Sequence, residues 1–597
     1  MPRSPLEIAA RLAHPWAPAA LSDFTPDELR AAGELLARQK VSFLALRRAH
    51  GEAVMDTPLR AFVEKDAAHF RAQRDAYEHV RSRLEEDGVR AMLFKSAGLY
   101  PSFHYLSDNL DVLVPRGGAA AARRRLEELG YVELVNVEEP GKFLFRRFPG
   151  DGSSFAFHLH EVVGWGVPFV DDGPLWDNAR RADDDPDILV PAPAQALLVT
   201  LAHWFYEDKA LSLGNLILTA GALRALEGRL AALAALAAAR GWEEGFWGAI
   251  AVAGGAWGRL VGEPLLSVER ARELAEGLGR SAFMRGLVPK ARAAADLAAV
   301  VPFAANKVAY YRKVLRDPGR GAGRRLADVV ATLLWAVRWK LHIRSQRPLL
   351  VSVSGCDGSG KSLQVARLRE AFETCDVRVR VVWARGVSSR LAAPLMKLGA
   401  RVLGGRSRVA EGAAAKGGQE ARFARRQAAL RGPLARAVFS WVYALDLAWP
   451  WCVKPRLLML AGNVVICDRY VPDALVDYAL FTGTDASRPP LALRALARLA
   501  PRPRVRALFD VTPEEALRRK PEEGGAAHLE AARAAFLALA PRLRLDVHDA
   551  RASAEEVQER LARESLRAFY ARYWTLVNAL LWSVPQQLNP RPREARA

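Results

Sequence analysis

Residues 349–372 read LLVSVSGCDGSGKSLQVARLREAF: an apolar run, a glycine-rich loop, then a stretch of mixed polarity. LLVSVS suits a buried strand, and QVARLREAF repeats its apolar residues at helical spacing. Between them GCDGSGKS matches GxxxxGK[ST] through Gly355, Gly360, Lys361 and Ser362. A loop of this composition between a strand and a helix is suited to cradling phosphate, because glycines let the backbone wrap until successive N–H groups and the helix N-terminus face the anion. The expected nucleotide-binding residues are Gly355, Asp357, Gly358, Ser359, Gly360, Lys361 and Ser362. Lys361 would reach the β/γ oxygens and Ser362 would ligate magnesium, so ATP and Mg2+ are the expected cofactors.

Outward from the loop, strands and helices alternate. VRVVWA (379–384) reads as a strand, followed by a long helical stretch to about residue 460. NVVICD (463–468), VRALFDV (505–511) and LRLDVHD (543–549) read as further strands, each followed by a helical pattern. Apolar strands alternating with helices predict a parallel sheet with helices on both faces.

This half of the chain resembles the thymidylate kinases. GCDGSGKSLQVARLREAF is similar to their opening G-x-D-G-S-G-K-[ST]-T-Q and helix, and KPRLLMLAGNVVICDRYVPDALVDYALF (454–481) to their K-P helix and the strand ending in D-R-Y. ALFDVTPEEALRRK (507–520) resembles the next strand and the start of the lid, and VHDARASAEEVQERL (547–561) the last strand and helix. The four blocks run in order through residues 348–562. The resemblance implies a P-loop α/β domain that transfers a phosphoryl group from ATP to a nucleoside monophosphate or related small acceptor, with dimerisation a further implication.

By the same resemblance, Asp357 approaches the acceptor sugar, Asp468 and Arg469 lie near metal and phosphates, Arg385 binds the acceptor phosphate, and Arg518 or Arg519 is the lid cation. Taken singly, each arginine reads as a solvated surface charge. The sequence also departs from the family. FSWVYALDLAWPWCVKP has no arginine in the helix before K-P, ARGVSSR stands in place of REPGGT, and the lid PEEGGAAHLE is short. GARVLGGRSRVAEGAAAKGGQEARFARRQAALRG (399–432) is a basic insertion. These departures leave an acceptor other than dTMP open.

The N-terminal half reads differently. Helical periodicity covers roughly the first ninety residues, for instance FTPDELRAAGELLARQK. VRAMLF (89–94), LDVLVP (110–115), YVELVNV (131–137), KFLFRRF (142–148) and FAFHLHEV (155–162) then read as strands. From residue 191 to about 300 the chain is Ala- and Leu-rich, with ALRALEGRLAALAALAAARG expected as one long helix. MLFKSAGLYPSFHYLSDNLDVLVP (92–115), FAFHLHEVVGW and AQALLVTLAHWFYED resemble a bacterial family of nucleotidyltransferase-fold proteins, over about residues 30–290. The resemblance implies an α+β nucleotidyltransferase-like domain with a helical subdomain.

Nucleotidyl transfer in such a fold needs two carboxylates at D-x-D spacing on one strand face, holding two magnesium ions, with a third on a neighbouring strand. Here Asn109 stands where the first acid belongs, Asp108 is one residue off, and the third position falls on His158. Asp111 remains as a candidate metal ligand, with Glu161 as a second acid. That set favours a binding or regulatory domain; a working nucleotidyltransferase using Asp108 and Asp111 in a bulged strand is the alternative. His158 and His160 alternate onto one strand face and could hold a metal, but without a third ligand in view they read as structural, as does His203 in LAHWFY.

The whole chain sets bounds on these readings. Its 597 residues suit roughly two to four domains. The expected division is a nucleotidyltransferase-like domain over 1–300 (helical from about 191), a helical linker over 301–346, a P-loop domain over 347–564, and a C-terminal aromatic helix and tail over 565–597. A net charge of +20 and a pI near 10.1 favour anionic partners, although the Arg- and Ala-rich usage of a GC-rich genome explains the charge as readily. No sequence-specific nucleic-acid binding is expected. The 4 cysteines, Cys356, Cys375, Cys452 and Cys467, lack CxxC spacing and suit a reducing cytoplasm. VFSWVYALDLAWPWCV (438–453) and FYARYWTLVNALLWSV (569–584) read as buried core helices, with basic flanks that also suit an interfacial helix. The location expected is cytoplasmic, or peripheral to the inner membrane; a non-catalytic ATP-binding switch or scaffold in envelope polysaccharide synthesis is the third functional reading.

Overall fold

The computed structural model of the chain describes residues 4–94, 109–134, 141–182, 185–340, 348–375, 377–385, 430, 432–521 and 525–570. Asp108, most of the 399–432 insertion, the end of ARGVSSR, part of the PEEGGAAHLE lid and nearly all of the C-terminal aromatic stretch lie outside the described residues. The chain is mixed α/β and divides into two compact units, Met1–Arg146 with Phe155–Ile343, and Arg147–Ser154 with Arg344–Ala597.

The first unit contains a mixed five-stranded sheet in the order β1-β2-β5-β4-β3. Its strands are β1 (Met92–Leu93), β2 (Asn109–Leu113), β3 (Val132–Leu134), β4 (Lys142–Arg147) and β5 (Phe155–His160). β2 and β5 are parallel neighbours, with Asp111 opposite His158 and Leu113 opposite His160. Successive side chains on a strand point to opposite faces. Leu110, Val112, Phe157 and Leu159 therefore share one face, where they join a core with Tyr77, Val80 and Leu84 of α1 (Arg60–Glu86) and Ala122 and Leu126 of α2 (Ala119–Glu128). Asn109, Asp111, His158 and His160 fall on the other face.

The helical part of this unit is built around buried aromatics, among them Trp204, Trp242 and Trp257. The single long helix expected from ALRALEGRLAALAALAAARG is instead two, Leu213–Ala225 and Leu230–Ala239, separated by a 3-10 turn at Glu227–Arg229. Gly228, a poor helix-interior residue, lies in that turn, and Leu226 and Leu230 on either side of it are both buried. The segment expected as a linker contributes to this core: Tyr310 and Val314 of α3 (Phe303–Arg316) are buried, and the Tyr310 hydroxyl donates to the Trp165 carbonyl at 3.0 Å.

The second unit carries a five-stranded sheet in which every pairing is parallel. Its strands are β6 (Leu350–Gly355), β7 (Val379–Trp383), β8 (Val464–Asp468), β9 (Val505–Asp510) and β10 (Asp546–Asp549), in the order β7-β8-β6-β9-β10. The central strands β6 and β8 are buried along their whole length, whereas the edge strands β7 and β10 expose Trp383 and Val547; this is why β6 and β8 read as continuous apolar runs. α4 (Lys361–Thr374), α5 (Pro433–Ala448), α6 (Val471–Thr482), α7 (Ala526–Leu543) and α8 (Ala554–Tyr570) complete the unit, with α4 packed on α8 and α6 on α7.

The segment 438–453, expected as a buried helix, is buried on one side only. Phe439, Tyr443, Leu447 and Trp451 are inside, while Leu434, Val438, Trp441, Leu445 and Trp449 follow one another at three- and four-residue steps on the surface. No helix of the described residues is long and apolar enough to cross a membrane. The four cysteines are buried and unbridged.

One buried cation makes the first unit sensitive to alkaline pH. Lys313 donates from Nζ to the carbonyl of Pro168 and to Asp317 Oδ2 (3.3 Å), and lies 4.5 Å from the centre of the Phe169 ring. Burial, opposed by Asp317, lowers its pKa from 10.5 to about 8. The folded state holds this proton less tightly than the unfolded chain, so the penalty of burying the charge is present below about pH 8 and fades as the pH rises to 10.5. The stability of the wild type relative to Lys313→Met should therefore rise by about 3 kcal/mol across that window in denaturant titrations; a flat difference would contradict this account.

Candidate functional site

Strand β6 ends at Gly355, and the chain then turns through a loop whose backbone explains its glycines. Gly355, Gly358 and Gly360 have φ of +147°, +83° and +83°, a region that residues with a Cβ rarely adopt. A Cβ would stand 2.6 Å from the Phe509 carbonyl oxygen at Gly355 and 2.6 Å from that of Ala516 at Gly358. At Gly360 it would meet nothing within 4 Å, so the mouth of the loop, just before the first turn of α4, is open.

Lys361, the first residue of α4, is buried and folds back over the loop. Its Nζ donates to the carbonyls of Gly355 (2.8 Å) and Cys356 (2.6 Å), and lies 3.9 Å from Asp357 Oδ1. Burial, followed by the charge of Arg469, pushes its pKa down, against the pull of Asp357 and Asp473. The next residue, Ser362, donates from Oγ to Asp468 Oδ2 at 3.0 Å. The parallel register of β6 and β8, which sets Val353 beside Asp468, makes this contact possible.

A network of charge surrounds the lysine. Asp357 is paired with Arg469, and its Oδ2 lies 3.5 Å from Arg385. Burial alone would raise its pKa, but Arg469, Lys361 and Arg385 outweigh that and hold the carboxyl below its ordinary range. Arg469 is itself buried, with φ of +76°, and its backbone N–H donates to the Val353 carbonyl at 3.0 Å. Two acids one turn apart on α6 complete the set: Asp473 lies 3.9 Å from Arg469 and Asp477 lies 3.6 Å from Arg385. Burial pushes both of their pKa values up, against the neighbouring arginines.

Of the residues expected from sequence, Lys361, Ser362, Asp357, Asp468, Arg469 and Arg385 are brought together. Arg519 is not among them. It donates to Glu515 Oε1 (2.7 Å) and the Ala550 carbonyl (2.8 Å), and Arg518 binds the same glutamate. The adjacent Lys520 is the cation on this segment whose charge acts on Asp357. Sequence reading missed Asp473, Asp477 and His528. Burial, ahead of any charge, lowers the pKa of His528, which also feels Asp357 and Arg385. The four-residue spacing of DALVD, two residues after D-R-Y, was the available signal for the two acids.

The polar face of the sheet in the first unit forms a second cluster. Asp111 Oδ1 lies 2.9 Å from His160 Nε2 and 3.4 Å from His158 Nδ1. Asn109 Nδ2 donates to Asp111 Oδ2 at 2.8 Å and faces His158 Nδ1 at 3.0 Å. Asp111, named from sequence as a candidate metal ligand by itself, thus stands beside the two histidines as a third potential donor. Glu161, the second candidate acid, is engaged elsewhere: Oε1 accepts from the backbone N–H groups of Gly117 (2.9 Å) and Ala119 (3.1 Å), at the start of α2. His203 is partly exposed and pairs with Glu207 (3.1 Å) and Asp208 (3.4 Å), so it is not a purely apolar core residue. A pair of magnesium ions does not fit here, since among the described residues the cluster holds a single carboxylate.

The chain matches no family in a comparison with protein-family models, and no protein in a comparison with curated proteins.

Arg469→Met should expose how much the second unit depends on this charge balance. It leaves Asp357 and Asp473 short of a buried partner, at an expected cost of about 2–4 kcal/mol in denaturant unfolding at neutral pH, whereas Arg519→Met should cost under about 1 kcal/mol. Equal losses would refute the distinction.

Proposed function

We propose that the chain is an ATP-dependent phosphotransferase of the thymidylate-kinase-like class, acting from its second unit on a nucleoside monophosphate or related small acceptor. The observation that carries this reading is the juxtaposition of a glycine-turned loop at the end of the central strand, its lysine, and the Ser362 hydroxyl 3.0 Å from Asp468. In open parallel sheets, ligands sit beyond the carboxyl ends of the strands, at the place where connections diverge to either side. β6 has that position, with β8 on one side and β9 on the other.

The residues present suit magnesium-bound ATP. Ser362 and Asp468 would hold the metal, and Lys361 would exchange the Gly355 and Cys356 carbonyls for phosphate oxygens. When bound, ATP supplies the transferable phosphoryl group. Transfer of that kind asks the protein chiefly for positioning and charge neutralisation. Arg469 and Arg385 are held at the loop by Asp357, Asp473 and Asp477, so an incoming anion would find cations already ordered. Asp357 projects from the loop itself and is the candidate to orient the acceptor.

The first unit is assigned a binding or regulatory role. A working nucleotidyltransferase is disfavoured by the use of Glu161 as a helix cap and by Asn109 at the first acid position.

ADP release by the full chain with Mg-ATP, across nucleoside monophosphates, nucleosides and sugars, tests the proposal. Turnover should depend on one acceptor class, fall by roughly 100-fold or more in Lys361→Ala, and stay within about 2-fold of wild type in Asp111→Ala. Acceptor-independent ATP loss, or turnover indifferent to Lys361 in a variant that still folds by circular dichroism, would overturn it.

A further inference from the structure

The Asp111 cluster in the first unit is unsuited to paired magnesium, but its donors are arranged for something else. Asp111 Oδ1, His158 Nδ1 and His160 Nε2 all lie within 4.8 Å of one another, with separations from the carboxylate oxygen of 3.4 and 2.9 Å. Four ligands held tetrahedrally at about 2.0–2.1 Å from a metal are about 3.3 Å apart, so these separations are close to the edges of such a polyhedron. The three donors come from two strands in parallel register, Asp111 opposite His158 and His160 two residues on, so the sheet itself fixes their spacing. The Phe94 ring packs nearly perpendicular to the His160 ring, with ring centres 4.8 Å apart.

Hydrogen bonds orient the cluster. Asn109 Nδ2 donates to the Asp111 carboxylate, which identifies that atom as the amide nitrogen. The same nitrogen faces His158 Nδ1 at 3.0 Å, so His158 presents a lone pair there. That lone pair and the anionic Asp111 Oδ1 are 3.4 Å apart in a site where Asp111, Asn109 and His160 are buried.

We propose that the first unit binds a single transition-metal ion of the zinc class through Asp111, His158 and His160, with Asn109 as the hydrogen-bond donor to Asp111 and the ion taking the place of the Asn109 N–H on His158 Nδ1. Two imidazoles and one carboxylate suit Zn2+, and also Fe2+, Co2+ or Mn2+, whereas Mg2+ asks for an octahedral shell of oxygens. Without metal, His160 Nε2 carries the hydrogen donated to Asp111. Binding requires that nitrogen bare, so the neutral ring keeps its one hydrogen on Nδ1 instead. Three protein ligands leave a coordination position for water or for an oxygen of an anionic ligand. This site is independent of the phosphotransferase reading, since none of its residues belongs to the second unit.

The test uses the full chain without a histidine tag, stripped with chelator and titrated with Co2+, Zn2+ and Mg2+. A single Co2+ per chain should bind, give visible d–d absorption, be displaced by Zn2+ and be untouched by excess Mg2+. His158→Ala, His160→Ala and Asp111→Asn should each weaken Zn2+ binding by about 100-fold or more, Asn109→Ala by about 10-fold, and His203→Ala not at all. Melting of each metal-free variant separates loss of binding from loss of fold; the isosteric Asp111→Asn and the half-buried His158→Ala are the variants expected to melt as wild type does. Absence of saturable uptake at micromolar metal, uptake that survives the His158→Ala/His160→Ala pair, or Mg2+ binding that depends on Asp111 would each overturn the proposal.

Discussion

A positive charge buried at the end of the central strand of the second unit dictates much of what surrounds it. Lys361 opens α4 with its ammonium under the loop, where solvent cannot stabilise it. The first compensation is local: the loop's own carbonyls at Gly355 and Cys356 turn inward, in a loop where Gly355, Gly358 and Gly360 all accept positive φ. The second is Asp357, whose charge must in turn be balanced by Arg469 and Arg385, and these draw Asp473 and Asp477 to the near face of α6. One buried ammonium is thus linked through Asp357 and two arginines to two buried acids on a neighbouring helix. In this network an anion at the loop mouth would replace interactions already made, not order a disordered site.

The two units use the same device differently. Each places polar residues on a parallel strand pair and leaves the neighbouring positions to the core. In the second unit the polar residues sit at the carboxyl ends of β6 and β8, facing a loop. In the first unit they lie along β2 and β5, where alternation separates Leu110, Val112, Phe157 and Leu159 from Asn109, Asp111, His158 and His160. Strand alternation alone therefore explains how a short sheet can carry a hydrophobic core on one side and a metal-competent cluster on the other.

What was legible in the sequence follows from how local each signal is. The strands of the second unit were readable because burial on both faces makes β6 and β8 continuous apolar runs, and the loop was readable because its glycines answer a backbone requirement. The Asp111, His158 and His160 cluster was not, because it depends on the register of two strands whose partners lie 47 residues apart along the chain, a pairing that no local pattern encodes. The break at Glu227–Arg229 was hidden because alanine and leucine satisfy helical periodicity across it, leaving Gly228 as the single discordant residue. The 438–453 segment reads as core from composition, yet only the side carrying Phe439, Tyr443 and Trp451 is buried; hydrophobicity alone does not say which face of a helix finds a partner.

The central claim is that the loop 355–362 is a phosphate cradle whose lysine is held in reserve by its own backbone carbonyls. The most direct measurement is a structure of the full chain with Mg2+ and a non-hydrolysable ATP analogue. The account predicts the β-phosphate at the open mouth beside Gly360, Lys361 Nζ moved from the Gly355 and Cys356 carbonyls onto phosphate oxygens, and the metal between Ser362 and Asp468. An analogue bound elsewhere, or bound with Lys361 still on those carbonyls, would contradict it.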